Sequence, residues 1–368
     1  MGFLKGRVIK LDRGFPLVKA DDGRVFRCEH ATSLKKSDEA RAVIGDMVEI
    51  GSPETHDKGI IQEILPRSCR LVRKDPTERT LPQVLAANFD IVLVAEPIDG
   101  LNLKRLEREL VLAHETGARV AVVLTKADLA ESRDVAKQVR ERAYELAGDD
   151  TPVLVISSQD FASIEEVRAL VGAGNMAVLI GKSGVGKSSL VNLLAGSEVR
   201  AVGEVREGDG KGRHTTVSRA IVELPGGSSI VDMPGIRGLG LWDAEAGIEA
   251  AFADVEEFAR QCRFRDCRHK DEPGCAVRAA VEAGELSQKR FDSYQALKQE
   301  SAAVGERREE ARRMRGEKAS DVRRKRAKGG NAAGKASGGG SGRAKGGKGA
   351  TKPKGAKSSK GSHGKIQR

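Results

Sequence analysis

Apolar and polar residues alternate through residues 1–66 in short runs, at 7–11, 17–19, 24–28, 47–50 and 60–64, separated by turns bearing glycine and aspartate. Alternation of Val, Ile and Phe with Lys and Arg at period two describes strands with one buried and one polar face, and five such strands predict a small β-barrel. After Asn88 the pattern changes. The runs 91–94, 120–124, 153–156 and 177–180 are apolar throughout, and between them lie stretches such as 103–115, where Leu103, Leu106, Leu110 and Ala113 recur at helical spacing. Strands that are apolar on both faces and joined by helices predict an α/β domain built on a mainly parallel sheet. Residues 219–231 read as a hairpin turned by Pro225, Gly226 and Gly227, and beyond 244 the period is helical over 248–259, 277–283 and 287–300.

From about 316 the chain turns to Lys, Arg, Gly, Ser and Ala, too poor in apolar groups to offset the entropy of ordering, so this tail is predicted to be disordered. Charge changes the picture chiefly there. The net charge is +11, but 15 of the 64 basic residues follow Asp321, the last acidic one, which leaves residues 1–321 with 49 basic and 53 acidic groups, a net of −4. Residues 1–66 carry 11 of each sign, so the outer face of the barrel reads equally well as an RNA-binding or a merely solvated surface. A length of 368 residues suggests two or three domains. No run of about 18 apolar residues is present to cross a membrane, and residues 1–10 lack the apolar stretch of a signal peptide, so a cytoplasmic location without membrane association is expected.

The sharpest chemical signal is Gly181-Lys182-Ser183-Gly184-Val185-Gly186-Lys187-Ser188, with Ser189 after it. It follows an apolar strand and opens a helical stretch, the context a phosphate-binding loop requires. Loop amides freed by Gly184 and Gly186 wrap phosphates, Lys187 reaches the terminal phosphates, and Ser188 ligates magnesium. Downstream, Asp232-Met233-Pro234-Gly235 ends a predicted strand, which suits Asp232 to hold magnesium and the Gly235 amide to bond a γ-phosphate. Thr125-Lys126-Ala127-Asp128 ends another. Asp128 can accept from guanine N1–H and the 2-amino group, which adenine does not offer there; Lys126 would cover the base, and Ser157-Ser158 closes a third strand near the guanine O6.

Together these residues resemble a TRAFAC-class GTPase whose base-reading elements precede its phosphate loop, a circular permutation. Two departures matter. Thr125 stands where Asn is usual, weakening one tether between the base and phosphate loops, and Ile236 stands where Ras-like proteins carry the glutamine that orients water. His214, in Gly212-Arg213-His214-Thr215-Thr216, is the catalytic candidate in its place; the alternative is a solvent-facing loop histidine. Thr215 or Thr216 would sense magnesium and γ-phosphate. A separate cluster, Cys262, Cys267, His269 and Cys275, supplies three thiolates and one imidazole within fourteen residues, a closed tetrahedral set for a structural zinc ion, whereas Cys28 reads as core or an idle thiol.

The order of these motifs, the segments Gly45-Asp46-Met47-Val48 and Ile64-Leu65-Pro66-Arg67, the lead-in at 83–90 and the Cys/His cluster resemble the bacterial small-ribosomal-subunit-dependent GTPase A family over roughly residues 3–300. The resemblance implies an OB-fold β-barrel over 1–70, a circularly permuted GTPase domain over 71–243 and a helical zinc-binding domain over 244–315; the disordered basic tail over 316–368 is an addition outside it. It further implies a monomeric hydrolase that uses GTP/GDP, Mg2+ and Zn2+, binds the 30S subunit and 16S rRNA, assists late subunit maturation, and hydrolyses GTP faster on the subunit, with a catalytic histidine matching His214 and zinc ligands at Cys262, Cys267, His269 and Cys275. Two other classes stay open: a nucleotide-gated RNA-binding protein with incidental hydrolysis, and a phosphate-loop ATPase or kinase. The basic tail reads as an rRNA contact or as a solvating extension.

Overall fold

The computed structural model describes residues 3–12, 15–34, 41–51, 58–74, 82–199, 220–233, 240–242 and 244–314. The expected barrel forms from β1 (Phe3–Asp12), β2 (Phe15–Ala20), β3 (Val25–His30), β4 (Met47–Gly51) and β5 (Lys58–Ile64), closed in the order β1-β2-β3-β5-β4 with β3 and β5 parallel. The alternation seen in the sequence sends Val8, Val18, Phe26, Cys28, Val48, Ile50 and Ile61 inward. Cys28 is therefore core, and burial pushes its thiol up to about 11, well away from the reactive thiolate.

A pair of strands absent from the sequence reading, β6 (Arg70–Lys74) and β7 (Pro82–Ala87), joins this barrel to the rest. Ile44 bridges to Ala86, and the side chain of Asn88 accepts from the Ser68 amide at 2.8 Å and donates to the Gly45 carbonyl at 3.1 Å. Gly45 has no alternative here: at φ +86°, a Cβ would fall 2.0 Å from the Ala87 carbonyl oxygen. Next to it the buried Asp46 carboxylate takes both Arg67 Nε and Nη2, at 2.7 and 2.8 Å.

The α/β domain contains β8 (Ile91–Pro97), α1 (Leu103–His114), β9 (Arg119–Thr125), α2 (Arg133–Ala147), β10 (Val153–Val155), α3 (Phe161–Val171), β11 (Met176–Ile180), α4 (Lys187–Ala195), β12 (Ile221–Glu223) and β13 (Ser229–Asp232). Its six-stranded sheet runs β10-β9-β8-β11-β13-β12, parallel except at β12. Strands β8, β9 and β11 are buried on both faces because helices cover both sides, one apolar layer meeting α1 and α2 and the other α3 and α4.

Four helices follow: α5 (Glu245–Ala251), α6 (Ala253–Ala259), α7 (Ala276–Ala283) and α8 (Gln288–Met314). The single helix expected over 248–259 is split at Phe252, whose side chain is fully buried and stacks with Tyr294 of α8. Close approach fastens α5 to α1, since a Cβ on Gly247 would meet the Val111 carbonyl at 2.2 Å and the Gly247 amide donates to Glu115 at 2.7 Å. Buried Arg290 of α8 donates to Glu107 of α1 at 3.2 Å and to Asp254 of α6, with its guanidinium 4.0 Å above the Phe252 ring. Among the described residues no helix is long and apolar enough to cross a membrane. The expected disordered tail beyond 316 lies outside the described residues.

Candidate functional site

The phosphate loop, 181–188, connects β11 to α4 at the carboxyl edge of the sheet, between neighbours β8 and β13. Open sheets of this kind bind ligands at that edge. Gly181 lies at φ +141°, where a Cβ would fall 2.4 Å from the Ala95 carbonyl, so glycine is needed for the loop to pass over β8. Gly184 and Gly186 also take positive φ, turning successive loop amides and leaving Gly186 as the residue before the first turn of α4. Lys187 is buried, and its ammonium donates to the carbonyls of Gly181 and Lys182 at 2.7 and 2.8 Å, spanning the loop from beneath. Burial pulls the Lys187 pKa down, while the nearby carboxylates of Asp232, Glu109 and Glu96 oppose that shift. Ser188 and Ser189 open α4, and Asp232 ends β13, the strand paired with β11.

The candidate base-reading residues come to the same edge from the other side of β8. Lys126 adopts a left-handed conformation at φ 60°, which ends β9 and starts the single turn Ala127–Leu129. The Ala127 amide donates to the Ile156 carbonyl at 3.1 Å, binding this turn to the end of β10. Ser157 then donates from its hydroxyl to Asp128 Oδ1 at 3.1 Å, which fixes the carboxylate and joins the two base-reading segments. Ser158 follows in the turn that leads to α3.

Thr125 shows what form the tether expected to be weakened takes. Its hydroxyl donates directly to the Val185 carbonyl inside the phosphate loop and lies 3.3 Å from the Glu96 carbonyl. A tether between the candidate base loop and the phosphate loop is thus present with threonine in place of asparagine, because buried Thr125 lies directly against Gly186. Candidates His214, Thr215, Thr216 and Gly235, together with Ile236, lie outside the described residues.

The second centre lies in the helical region. Cys262 follows α6, Cys267 and His269 lie in the knuckle between α6 and α7, and Cys275 caps α7. Their ligand atoms all fall within 4.8 Å of one another. Cys262 Sγ lies 3.6 Å from His269 Nδ1 and 4.0 Å from Cys275 Sγ, and Cys275 Sγ lies 3.4 Å from His269 Nδ1. Tetrahedral zinc with ordinary Zn–S and Zn–N bonds demands separations of about 3.5–3.8 Å, so the four side chains suit the ion in kind and lie within a small adjustment of its geometry. His269 reaches this position at φ 57° and rests edge-on against Phe291 of α8. A cleft of about 880 Å³ opens beside the cluster, lined by Arg260, Arg265, Arg268, Lys270 and Lys298 among others, with Glu245, Glu256 and Glu306 opposing them.

Pattern reading missed the buried charges around α1. Glu96 of β8 and Glu109 of α1 are both buried, and Arg105 donates from Nε to Glu96 Oε1 at 2.6 Å and from Nη2 to Oε2. A glutamate on an amphipathic helix ordinarily marks its wet face, so no local signal singled out this group.

Comparison with known proteins bears on what these arrangements do. The profile of the RsgA GTPase family matches residues 64–242. A protein of Streptomyces avermitilis described as small ribosomal subunit biogenesis GTPase RsgA is 42% identical over 330 residues, covering 89% of this chain and 87% of that protein. One of the same description from Xanthomonas axonopodis pv. citri is 42% identical over 267 residues, 72% of this chain and 71% of the other. Among solved structures, YjeQ from Thermotoga maritima superposes with a TM-score of 0.60 at 27% identity, over 80% of this chain and 96% of its own. YloQ, described as a circularly permuted GTPase, shares the fold with a TM-score of 0.58 at 24% identity, over 83% of this chain and 96% of its own.

Proposed function

This chain belongs to the RsgA GTPase family and is a GTP hydrolase of circularly permuted fold, and from that premise we propose that it acts on the small ribosomal subunit during its late maturation. The subunit and its 16S rRNA stimulate hydrolysis of GTP to GDP and phosphate by the monomeric chain, in the cytoplasm. The observation that supports the catalytic part is the bond from Thr125 to the Val185 carbonyl, which joins a base-reading turn to a phosphate loop across 60 residues of reversed order. In this reading Asp128 reads the guanine N1–H and 2-amino group, the stem of Lys126 covers the base, and Ala127, Ser157 and Ser158 line its O6 side. Amides of Gly181 to Gly186 and the Lys187 ammonium take the phosphates, Gly235 the γ-phosphate, and Ser188, Thr215 and Asp232 hold magnesium. His214 orients the attacking water.

Residues 1–70, 71–243 and 244–315 serve as RNA-binding barrel, GTPase domain and zinc-binding helical domain. Zinc at Cys262, Cys267, His269 and Cys275 holds the knuckle rigid, and a closed ligand set leaves it no role in hydrolysis. On the barrel, Phe15 lies exposed with the Arg27 guanidinium 4.8 Å above its ring, an aromatic and basic pair of the kind that stacks RNA bases, and Val25 of β3 and Ile60 of β5 are exposed as well. The basic tail beyond 316 adds phosphate contacts.

Turnover measured with and without purified 30S subunits tests this function. Stimulation is expected with the wild type and is expected to fall by about 10²-fold in His214→Ala, with GTP affinity retained. Near-absent turnover under both conditions would favour the nucleotide-gated RNA-binding alternative, and undiminished stimulated turnover in His214→Ala would remove that residue from catalysis.

A further inference from the structure

Glu109 is a buried carboxyl that the GTPase reading leaves without a task. It lies on α1, is 3% exposed, and its Oε2 has no hydrogen-bond partner among the described residues. The charged groups acting on it are Glu96 from β8, Arg105 from its own helix and Lys187 from the phosphate loop. Arg105 is already committed, with two guanidinium nitrogens on the two oxygens of Glu96. Of the other charged groups of α1, Glu107 turns to Arg290, Arg108 turns to Glu300, and Lys104 is exposed. Among the described residues, the other cation acting on an ionised Glu109 is Lys187, which also faces Asp232.

We propose that Glu109 is a positioning residue for the phosphate site: it carries a proton, shares it with Glu96, and by staying neutral leaves the Lys187 ammonium to nucleotide phosphates, for which an ionised Glu109 would compete. The inference rests on the GTPase reading of that loop. Two carboxylates and one guanidinium in a dry setting cannot all be charged cheaply, and the member with no guanidinium of its own keeps its proton. Burial first, then the negative charge of Glu96, raise the Glu109 pKa to about 8, with Arg105 and Lys187 opposing. Ionisation of Glu109 and binding of phosphate then oppose each other through one ammonium, so nucleotide affinity must fall as Glu109 loses its proton.

Affinity for a fluorescent GDP analogue, measured with magnesium from pH 6.5 to 9 in the full chain and in Glu109→Gln, tests the proposal. Glutamine imitates the protonated acid, including its donation to Glu96. Wild-type affinity is expected to weaken relative to Glu109→Gln by on the order of tenfold across that range. Comparing the two proteins cancels titration of the nucleotide and of Lys187 itself. Parallel profiles would overturn the proposal, whereas absence of binding at every pH in both proteins would instead overturn the GTPase reading. Thermal unfolding supplies a readout free of nucleotide. Because the folded pKa is raised above the unfolded one, the wild type loses stability as pH climbs from about 4.5 to about 8, and Glu109→Gln does not. Identical pH dependence of melting in the two proteins would equally refute it, and Glu109→Met serves both comparisons if Glu109→Gln does not fold.

Discussion

Replacement of Lys187 by methionine is expected to reduce GTP turnover by about 10²–10³-fold, alone and on the ribosomal subunit. The physical reason is geometric as much as electrostatic. Lys187 emerges at the first turn of α4, is buried, and directs its ammonium along the underside of the loop to the carbonyls of Gly181 and Lys182. Held there, the ammonium is poised beneath the loop to turn its donors to phosphate oxygens, and methionine fills the same space without the charge. Stability is expected to change little, because removing a buried ammonium also removes its desolvation cost, which burial of Lys187 already expresses in a lowered pKa. Single-turnover hydrolysis and the melting temperature, measured together, check the prediction. Turnover within a few-fold of wild type in a well-folded Lys187→Met protein would contradict it.

The second large effect concerns the metal. Stripping zinc with a chelator, or changing Cys275 to serine, is expected to lower the melting temperature by on the order of 10 °C and to abolish stimulation by the subunit, while basal GTP turnover persists. Cys275 is buried at the start of α7, and His269 leans on Phe291 of α8, so loss of the ion releases the knuckle from two helices at once. The GTPase core is spared because α5 and α8 remain held to α1 through Glu115, Glu107 and Arg108. One zinc ion released per chain under denaturing conditions, and none from a preparation lacking the cysteines, completes the test. A metal-free protein with unaltered melting would refute a structural role for the cluster.

Much of this architecture is legible in the residue pattern, and what is not has identifiable causes. Strands β8, β9 and β11 stood out because both faces are apolar, and the loop between β11 and α4 because its glycines have no substitute at those φ values. The Cys/His spacing singled out the four residues that the fold gathers within 4.8 Å of one another, since each residue type is rare and the cluster is local. The β6–β7 pair is not legible because its strands carry no clean alternation; β7 also bridges to the barrel, through Ala86 at Ile44. The break at Phe252 is a tertiary event: a large side chain inserts beneath Tyr294 and Arg290, and helical periodicity alone does not register it. Buried charge is the least legible feature. Glu107 and Glu109 sit two apart on α1, both buried, one answered by Arg290 from a distant helix and the other turned toward Glu96. Nothing in the local pattern distinguishes such residues from a solvated face. Thr125 shows the converse: a departure from the usual asparagine that suggested a weakened tether, where the folded chain forms one through a hydroxyl.

The account depends on one nucleotide being read at its base by Asp128 and at its phosphates by Lys187, and exchange of base specificity tests that most directly. Asn presents an amide donor where Asp presents an acceptor, so Asp128→Asn should lose GTP binding by about 10²-fold or more and gain xanthosine triphosphate, whose 2-oxo group accepts where guanine's 2-amino group donates. Competition titrations of both nucleotides, and of ATP, against wild type and Asp128→Asn give the answer in a single series. The expected result is GTP preferred by the wild type, xanthosine triphosphate preferred by Asp128→Asn, and ATP weak for both. Equal affinities for all three nucleotides, or a preference unmoved by the substitution, would contradict it.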